Sequence, residues 1–300
     1  MNKVVVVGTG NVGVKYAAAL ISTNSNIDEL ILVDINKKKA MGEAMDLSNM
    51  LYALGSKTKI KTGTYLDAKD AKIVVIAAGV NQNKNETRLD LVKKNSKIIK
   101  DITLNIIKSG FNGIFLVASN PVDIITYLVK KYSKFPAGKV IGSGTMLDTS
   151  RLAYLISNKL EINIRDVSAY ILGEHGDSSF AVWSSAKVGS VLIREILPQE
   201  ELDKLLDKAK YMAYKIIELK NETSYGIGMC LVNITNAILN NENKVLVVSS
   251  PYDDIYLGMP SVINESGIKG VMKVELTKDE AKKLEDSANV IRQTIKSLEE

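Results

Sequence analysis

Gly8-Thr9-Gly10-Asn11-Val12-Gly13 follows directly on the apolar run Val4-Val5-Val6-Val7 and leads into a helical pattern. Few folds accommodate three glycines at this spacing between a short β-branched run and a helix. The first glycine lets the chain turn tightly, the second lets backbone approach a ligand, and the third lets helix pack on strand. The start of the helix then presents free N–H groups and the positive end of its dipole, a combination that suits phosphate. A strand, a turn, a helix and a parallel return strand are expected.

The first half repeats that rhythm. Residues 4–7, 30–33, 73–77 and 114–117 are short runs rich in Val and Ile, read as strands buried on both faces. Between them, residues 12–21, 37–54 and 89–108 are long enough for helices. Alternation of this kind implies right-handed crossovers and a parallel sheet. The expected class is α/β, with a Rossmann-type doubly wound parallel sheet over residues 1–143.

The second half is less regular. Residues 148–160, 199–220 and 225–239 read as helices, 244–249 and 268–276 as strands, and 255–263 as a broken strand between those two. The last helix is signalled most clearly, by a capping box of Thr277 and Glu280. An apolar stripe of Ala281, Leu284, Ala288, Ile291, Ile295 and Leu298 follows it. Residues 144–300 are therefore expected to form an α+β substrate and catalytic domain. With no repeat or low-complexity linker, it should sit tightly against the first.

Asp34 ends the second strand, about 20 residues beyond the glycines, where a carboxylate accepts both hydroxyls of an adenosine ribose and repels a 2′-phosphate. It could instead cap the helix that follows. With strand, glycines and acid in register, the expected cofactor is NAD rather than NADP.

Composition narrows the function classes. At 46% hydrophobic and 24% charged residues, the chain has the make-up of a globular protein. No apolar run approaches the roughly 20 residues of a membrane span. Met1-Asn2-Lys3 passes straight into the first strand, unlike a secretory leader, so a cytoplasmic location is expected. The net charge of +5 is spread among acidic residues, so no nucleic-acid partner is expected. The one cysteine, Cys230, lies in an apolar helical pattern, and one Cys with one His leaves no ligand cluster for zinc.

That one histidine, His175, stands in Gly173-Glu174-His175-Gly176-Asp177-Ser178. Imidazole is the side chain whose ordinary pKa lies between pH 5 and 8, so proton transfer near neutrality has one obvious candidate. A packed or surface histidine is the plainer alternative, but flanking glycines and acids favour a shaped loop.

Five segments then occur in order: Gln82-Asn83-Lys84-Asn85-Glu86-Thr87-Arg88-Leu89-Asp90-Leu91, Ser119-Asn120-Pro121-Val122-Asp123, Gly142-Ser143-Gly144-Thr145-Met146-Leu147-Asp148-Thr149-Ser150-Arg151, Gly173 to Ser178, and Thr223-Ser224-Tyr225-Gly226-Ile227. With these motifs, from Val4 to the final helix, the chain resembles the bacterial L-lactate dehydrogenases, within the wider family of L-lactate and malate dehydrogenases.

The resemblance implies roles. His175 gives or takes the proton of the 2-oxo or 2-hydroxy acid, and Asp148 orients the imidazole and stabilises its charged form. Arg151 forks onto the substrate carboxylate, and Arg88 swings in on a closing loop, residues 80–91, to stabilise the polarised carbonyl. Asn120 contacts substrate and nicotinamide, Thr223 lies near the substrate methyl, and Ile227 lies near the nicotinamide ring. The cofactor set implied is Gly8, Gly10, Asn11, Val12, Gly13, Asp34, Ala78, Gly79, Asn120 and Ile227, with no metal. Taken singly, Asp148, Arg88 and Arg151 could be surface charges and Asn120 a turn former before proline.

Gln82 stands where the malate branch usually carries an arginine for a second carboxylate. A neutral glutamine leaves that carboxylate unpaired in a closing site, which favours pyruvate and L-lactate over oxaloacetate. Two departures bear on this expectation. Asn83-Lys84-Asn85 replaces the Lys-Pro-Gly common in such loops, and the short Pro251-Tyr252-Asp253-Asp254 turn is similar to that of L-2-hydroxyisocaproate dehydrogenases, which accept larger side chains. Ala153 and Ser185 replace two basic positions associated with fructose 1,6-bisphosphate activation, so little activation is expected. A homo-oligomer, dimer or tetramer, is the expected assembly.

Overall fold

The structure, a computed structural model, describes residues 1–23, 25–80 and 88–299. In chain order, β1 (Lys3–Val7), α1 (Asn11–Ser22), β2 (Glu29–Val33), α2 (Lys37–Leu54) and β3 (Lys59–Thr62) form the first half of the doubly wound unit. The second half comprises β4 (Ile73–Ile76), α3 (Arg88–Lys108), β5 (Ile114–Val117), α4 (Val122–Ser133) and β6 (Val140–Gly142). These six strands are parallel, in the spatial order β6, β5, β4, β1, β2, β3.

Alternation along each strand explains the two layers of helices. Val5, Ile31, Val74 and Phe115 face one side, against α3, α4 and the C-terminal helix. Val4, Val6, Leu30, Leu32, Val75 and Leu116 face the other, against Tyr16 and Leu20 of α1 and Leu47 of α2. Each side chain withdrawn fully from water contributes roughly 1.5–3 kcal/mol before the entropy of ordering it. The order in which successive strands are added reverses between the parallel neighbours β1 and β4, and their C-terminal ends open the crevice where ligands of such sheets bind.

Two strands went beyond the expected pattern. β3 reads Lys-Ile-Lys-Thr and is a largely exposed edge strand, so it has no apolar run. β6 is only three residues long.

The remainder begins with α5 (Met146–Leu160) and the two-residue strands β7 (Val167–Ser168), β8 (Ile171–Leu172), β9 (Phe180–Ala181), β10 (Lys187–Val188) and β11 (Val191–Leu192). Then come the short α6 (Ile193–Ile196), α7 (Gln199–Lys220), α8 (Tyr225–Leu239), β12 (Lys244–Tyr252), β13 (Ile255–Asn264), β14 (Gly267–Val271) and α9 (Lys278–Glu299). Residues 255–264 form one continuous ten-residue strand rather than a broken one, paired along its length with β12. β14 ends at Val271, short of the expected 276.

The antiparallel ribbon β12–β13–β14 joins the parallel sheet, giving nine strands in one sheet. The seam is the single pair Ser249↔Gly142. A Cβ on Gly142 would lie 2.6 Å from Ser249 Cβ, so the seam closes only around glycine.

The capping box opens α9 as expected: Glu280 Oε2 accepts from Thr277 N (2.9 Å), and Glu280 N donates to Thr277 Oγ1 (3.3 Å). The same carboxylate accepts from Ser184 N and Oγ at 3.0 and 2.6 Å, fixing the helix to the preceding layer. Leu284, Ala288, Ile291 and Ile295 are buried and Leu298 is partly so, but Ala281 is exposed. The buried face instead includes Ser287, which serves the loop described next.

Candidate active site

A cleft of about 590 Å³ opens at the C-terminal ends of β4 and β5. Its lining brings together Val12, Ala78, Gly79, Asn120, Asp148, Arg151 and His175. These residues come from five separate segments, up to 163 positions apart in sequence.

On the cofactor side, the three glycines differ in their reasons. Gly8 has φ +98°, and a Cβ there would lie 2.7 Å from Ala77 O and Ala78 N. At Gly13 a Cβ would run into the carbonyl oxygen of Gly8, so this glycine sets the approach of helix to strand. At Gly10 a Cβ would meet nothing within 4 Å. Within the protein, space does not require a glycine there, which fits a ligand seated against the turn. Asn11 is the first residue of α1, whose N-cap is Gly10.

Asp34 Oδ2 accepts from Thr9 N (2.6 Å) and Thr9 Oγ1 (2.8 Å), and Oδ1 accepts from Asn36 N (2.8 Å). Partial burial opposes ionisation, but these three donors outweigh it and hold the carboxyl below the usual range. Asp34 is not the cap of α2, which is Asn36, its side chain accepting from Lys39 N; Asp34 braces the turn ahead of that helix and stands, charged, at the end of β2 beside the glycines. Helix start, open Gly10 and anionic Asp34 suit an adenine dinucleotide without a 2′-phosphate.

On the other side of the cleft, His175 Nδ1 lies 2.6 Å from Asp148 Oδ2, and Asp148 Oδ1 accepts from Arg151 NH1 at 3.1 Å. Asp148 and Arg151 stand three residues apart in the first turns of α5, both buried. The His175 side chain keeps 27% exposure, toward the cleft. Burial opposes its charged form, but Asp148, with Asp123 adding to it, raises the imidazole above the usual histidine range. The Asp148 carboxyl is held low despite its burial, through His175 and then Arg151.

Several supporting groups carry no expected role in the sequence reading. Asn95 Oδ1 accepts from Val80 N (2.9 Å) and its Nδ2 donates to Asn120 O (3.1 Å), bridging two walls of the cleft. Lys210 of α7 lines the cleft and donates to Asp177 O at 2.8 Å; burial lowers its pKa. Asp123 accepts from His175 N at 2.8 Å, and Ser287 Oγ accepts from Glu174 N at 2.7 Å. Asp123 was visible in the Ser-Asn-Pro-Val-Asp motif, whereas nothing in sequence marks Ser287 as a partner 112 residues from His175.

Thr223 precedes α8 and Ile227 lies in its first turn, and neither is among the described residues lining the cleft; Ile227 packs against the core beside α1. Gln82 and the loop around it lie outside the described residues, and Arg88 is placed only as the first residue of α3. The short turn at Asp253-Asp254 is tied to α9 by Arg292, at 3.4 and 3.1 Å, and does not line the cleft either.

Residues 2–142 match the lactate/malate dehydrogenase NAD-binding domain, and residues 145–300 match the α/β C-terminal domain of the same family. The chain belongs to the lactate/malate dehydrogenase family. Among similar members of this family is L-lactate dehydrogenase 2 of Bacillus cereus, 48% identical over 98% of each chain. A lactate dehydrogenase from a Medee basin deep-sea metagenome library superposes with a TM-score of 0.97 at 47% identity, covering 100% of this chain and 99% of that one. The minor L-lactate dehydrogenase of Enterococcus mundtii, in its ligands-bound form, gives 0.96 at 44% identity, covering 99% and 98%. The lactate/malate dehydrogenase fold thus accounts for the whole chain, and its first domain is the NAD-binding one.

Proposed function

We propose that this protein is an NAD-dependent L-lactate dehydrogenase that reversibly reduces pyruvate to L-lactate. The observation that carries the reading is one carboxylate, Asp148, holding both the imidazole of His175 and the guanidinium of Arg151 at the mouth of a dinucleotide crevice.

Gly8, Gly10, Asn11, Val12 and Gly13 would hold the pyrophosphate, Asp34 the ribose hydroxyls, and Ala78, Gly79, Asn120 and Ile227 the remainder of the cofactor. Bound NADH supplies a hydride equivalent to the carbonyl carbon of the substrate. Arg151 binds the substrate carboxylate through its planar fork. His175, with Nδ1 engaged by Asp148, offers Nε2 to the substrate oxygen and delivers the proton that neutralises the developing alkoxide. In the reverse direction the neutral ring accepts that proton. Arg88 and Asn120 polarise and position the same oxygen, and Thr223 sits by the substrate methyl.

Gln82 supports a monocarboxylate over a dicarboxylate, since a second carboxylate would lack a cation there. The comparison that tests the reading is kcat/KM with NADH for pyruvate, oxaloacetate and 2-oxoisocaproate. Pyruvate is expected to lead by a hundredfold or more. A lead for oxaloacetate would reassign the chain to the malate branch, and a lead for 2-oxoisocaproate would reassign it to the L-2-hydroxyisocaproate type. With Ala153 and Ser185 lacking cationic side chains, fructose 1,6-bisphosphate is expected to leave the pyruvate KM unchanged at neutral pH.

A homo-oligomer, dimer or tetramer, completes the proposal. Met41, Met45 and Tyr52 on α2 and Tyr211, Tyr214 and Ile217 on α7 are exposed apolar or aromatic side chains of the kind subunit contacts cover. The proposed location is the cytoplasm: Cys230 is a free thiol, and among the described residues no helix is long and apolar enough to cross a membrane.

A further inference from the structure

The acid at the start of α4 is spent in an unusual way. Acidic residues in a first helical turn ordinarily face solvent and interact with the helix dipole. Asp123 instead is 2% exposed, and the partners of both its carboxylate oxygens come from distant elements. Oδ2 accepts the backbone N–H of His175 at 2.8 Å, and Oδ1 accepts Ser249 Oγ, from β12, at 2.6 Å. Three residues earlier is Asn120, on the cleft wall. One short segment, Asn120-Pro121-Val122-Asp123, therefore ties a cleft residue to the main chain of the histidine.

The histidine loop is held at three further points. Gly173 and Gly258 exchange backbone hydrogen bonds at 3.1 and 2.9 Å, Ser287 accepts from Glu174 N, and Asp148 takes the ring. Of these anchors, only Asp123 and Asp148 carry charge. His175 is thus flanked by two buried carboxylates, one on its ring and one on its backbone.

We propose that Asp123 is a positioning residue for proton transfer, acting through His175: it fixes the imidazole in the cleft and supplies a second negative charge that stabilises the imidazolium. This rests on the proposed dehydrogenase chemistry for its purpose, but not for its test.

The charges surrounding the pair are consistent with that assignment. The charged groups acting on His175 are Asp148 and Arg151 from α5 and Asp123 from α4; Asp177 and, from α7, Lys210 line the same cleft, and buried Cys230 of α8 lies near Asp148 and Arg151. Facing Asp123 are His175 and Glu174, with Ser249 from β12. From α9 the loop receives the neutral Ser287, while Arg292 of that helix pairs with Glu285 and with Asp253 and Asp254 at the hairpin tip. Tyr256 of β13 donates to Ala137 O. Burial pushes the Asp123 carboxyl up to about 6, while Ser249 Oγ, the His175 N–H and the nearby imidazole favour its charged form.

Since His175 is the only histidine, its ring can be titrated directly in the intact enzyme by NMR after isotopic labelling of histidine. Asp123→Asn keeps the shape, and its amide can still accept from His175 N and donate to Ser249, but the charge is gone. The imidazole pKa is expected to fall by roughly half a unit or more in the folded variant. The alkaline limb of kcat/KM for pyruvate should move down with it. An unchanged imidazole pKa in folded Asp123→Asn would overturn the proposal and leave Asp123 a packing residue.

Should that variant fail to fold, Ser249→Ala decides the matter. It leaves the carboxylate but removes a donor, so Asp123 protonates more readily and the imidazole pKa again falls, by less. No fall in Ser249→Ala would then overturn the proposal. Because the ring is observed directly, the outcome does not depend on pyruvate being the substrate. Absence of pyruvate turnover with a normal titration difference would refute the dehydrogenase reading alone.

Discussion

Nδ1 of His175 and Oδ2 of Asp148 are 2.6 Å apart, at the short end of hydrogen bonds to an ionised acceptor. The pairing decides which ring nitrogen is available: with Nδ1–H donated to Asp148, Nε2 remains for the substrate. It also stabilises the charged ring, because a carboxylate this close in a partly desolvated site favours imidazolium over imidazole.

A pH dependence follows, with a definite sign. Reduction of pyruvate needs the imidazolium, so its kcat/KM should be maximal below the raised pKa of His175 and fall as pH passes above it. Lactate oxidation needs the neutral ring and should rise over the same interval. Asp148→Asn can donate its amide to Nδ1, which puts the proton on the wrong nitrogen and removes the charge. A loss of roughly 10²–10⁴ in kcat is expected, with the alkaline limb for pyruvate moved to lower pH. Steady-state profiles from pH 5 to 9 measure both. An unmoved limb would show that Asp148 does not set the protonation of His175.

The glycine turn gives a paired prediction in which two similar substitutions separate binding from stability. Gly10 has ordinary extended dihedrals and open space around its missing Cβ. Gly10→Ala should therefore melt within about two degrees of the parent while NADH binding weakens tenfold or more. Gly13→Ala forces a methyl against the Gly8 carbonyl, an overpacking that costs roughly 1–3 kcal/mol. Thermal unfolding and NADH fluorescence titration, run on both, give the comparison. Equal effects of the two variants on Tm would contradict the distinct roles.

These contrasts also show what was legible in the sequence and what was not. Local rules expose features that local residues determine: the strand before Gly8 and the α9 capping box of Thr277 and Glu280. The seam at Gly142 and Ser249 was not legible, because one residue pair joins a parallel to an antiparallel sheet and leaves no periodic signal. Ser287 was concealed for the opposite reason. It falls within the buried face of α9, where a hydroxyl reads as an interruption rather than an anchor for Glu174. The edge strand β3, with exposed lysines on either side of Ile60, carries too little apolar contrast to be marked.

Cofactor choice is predicted to rest on Asp34. Its carboxylate is kept ionised by Thr9 and Asn36, so a 2′-phosphate would meet a fixed negative charge. Asp34→Ser removes that charge. The ratio of kcat/KM for NADPH to that for NADH should rise about 30-fold or more, equivalent to about 2 kcal/mol. Part of the expected loss with NADH comes from the turn, since Thr9 donates to Asp34 twice. The ratio, rather than either value alone, is therefore the measurement, and an unchanged ratio would mean that the ribose lies elsewhere.

Substrate choice is predicted to rest on Gln82, from sequence alone. A second carboxylate brought into a closing, water-poor site without a partner costs several kcal/mol, whereas a guanidinium there would pair with it in a fork. Gln82→Arg should thus raise kcat/KM for oxaloacetate and lower it for pyruvate, since the arginine would itself be buried unpaired beside a methyl group. A combined shift of a hundredfold or more in the ratio is expected, about 2.7 kcal/mol. Adding salt should weaken the gain if the new pair stays wet and leave it intact if loop closure desolvates it. No change in the ratio would move the specificity position away from residue 82, and with it the argument for a monocarboxylate.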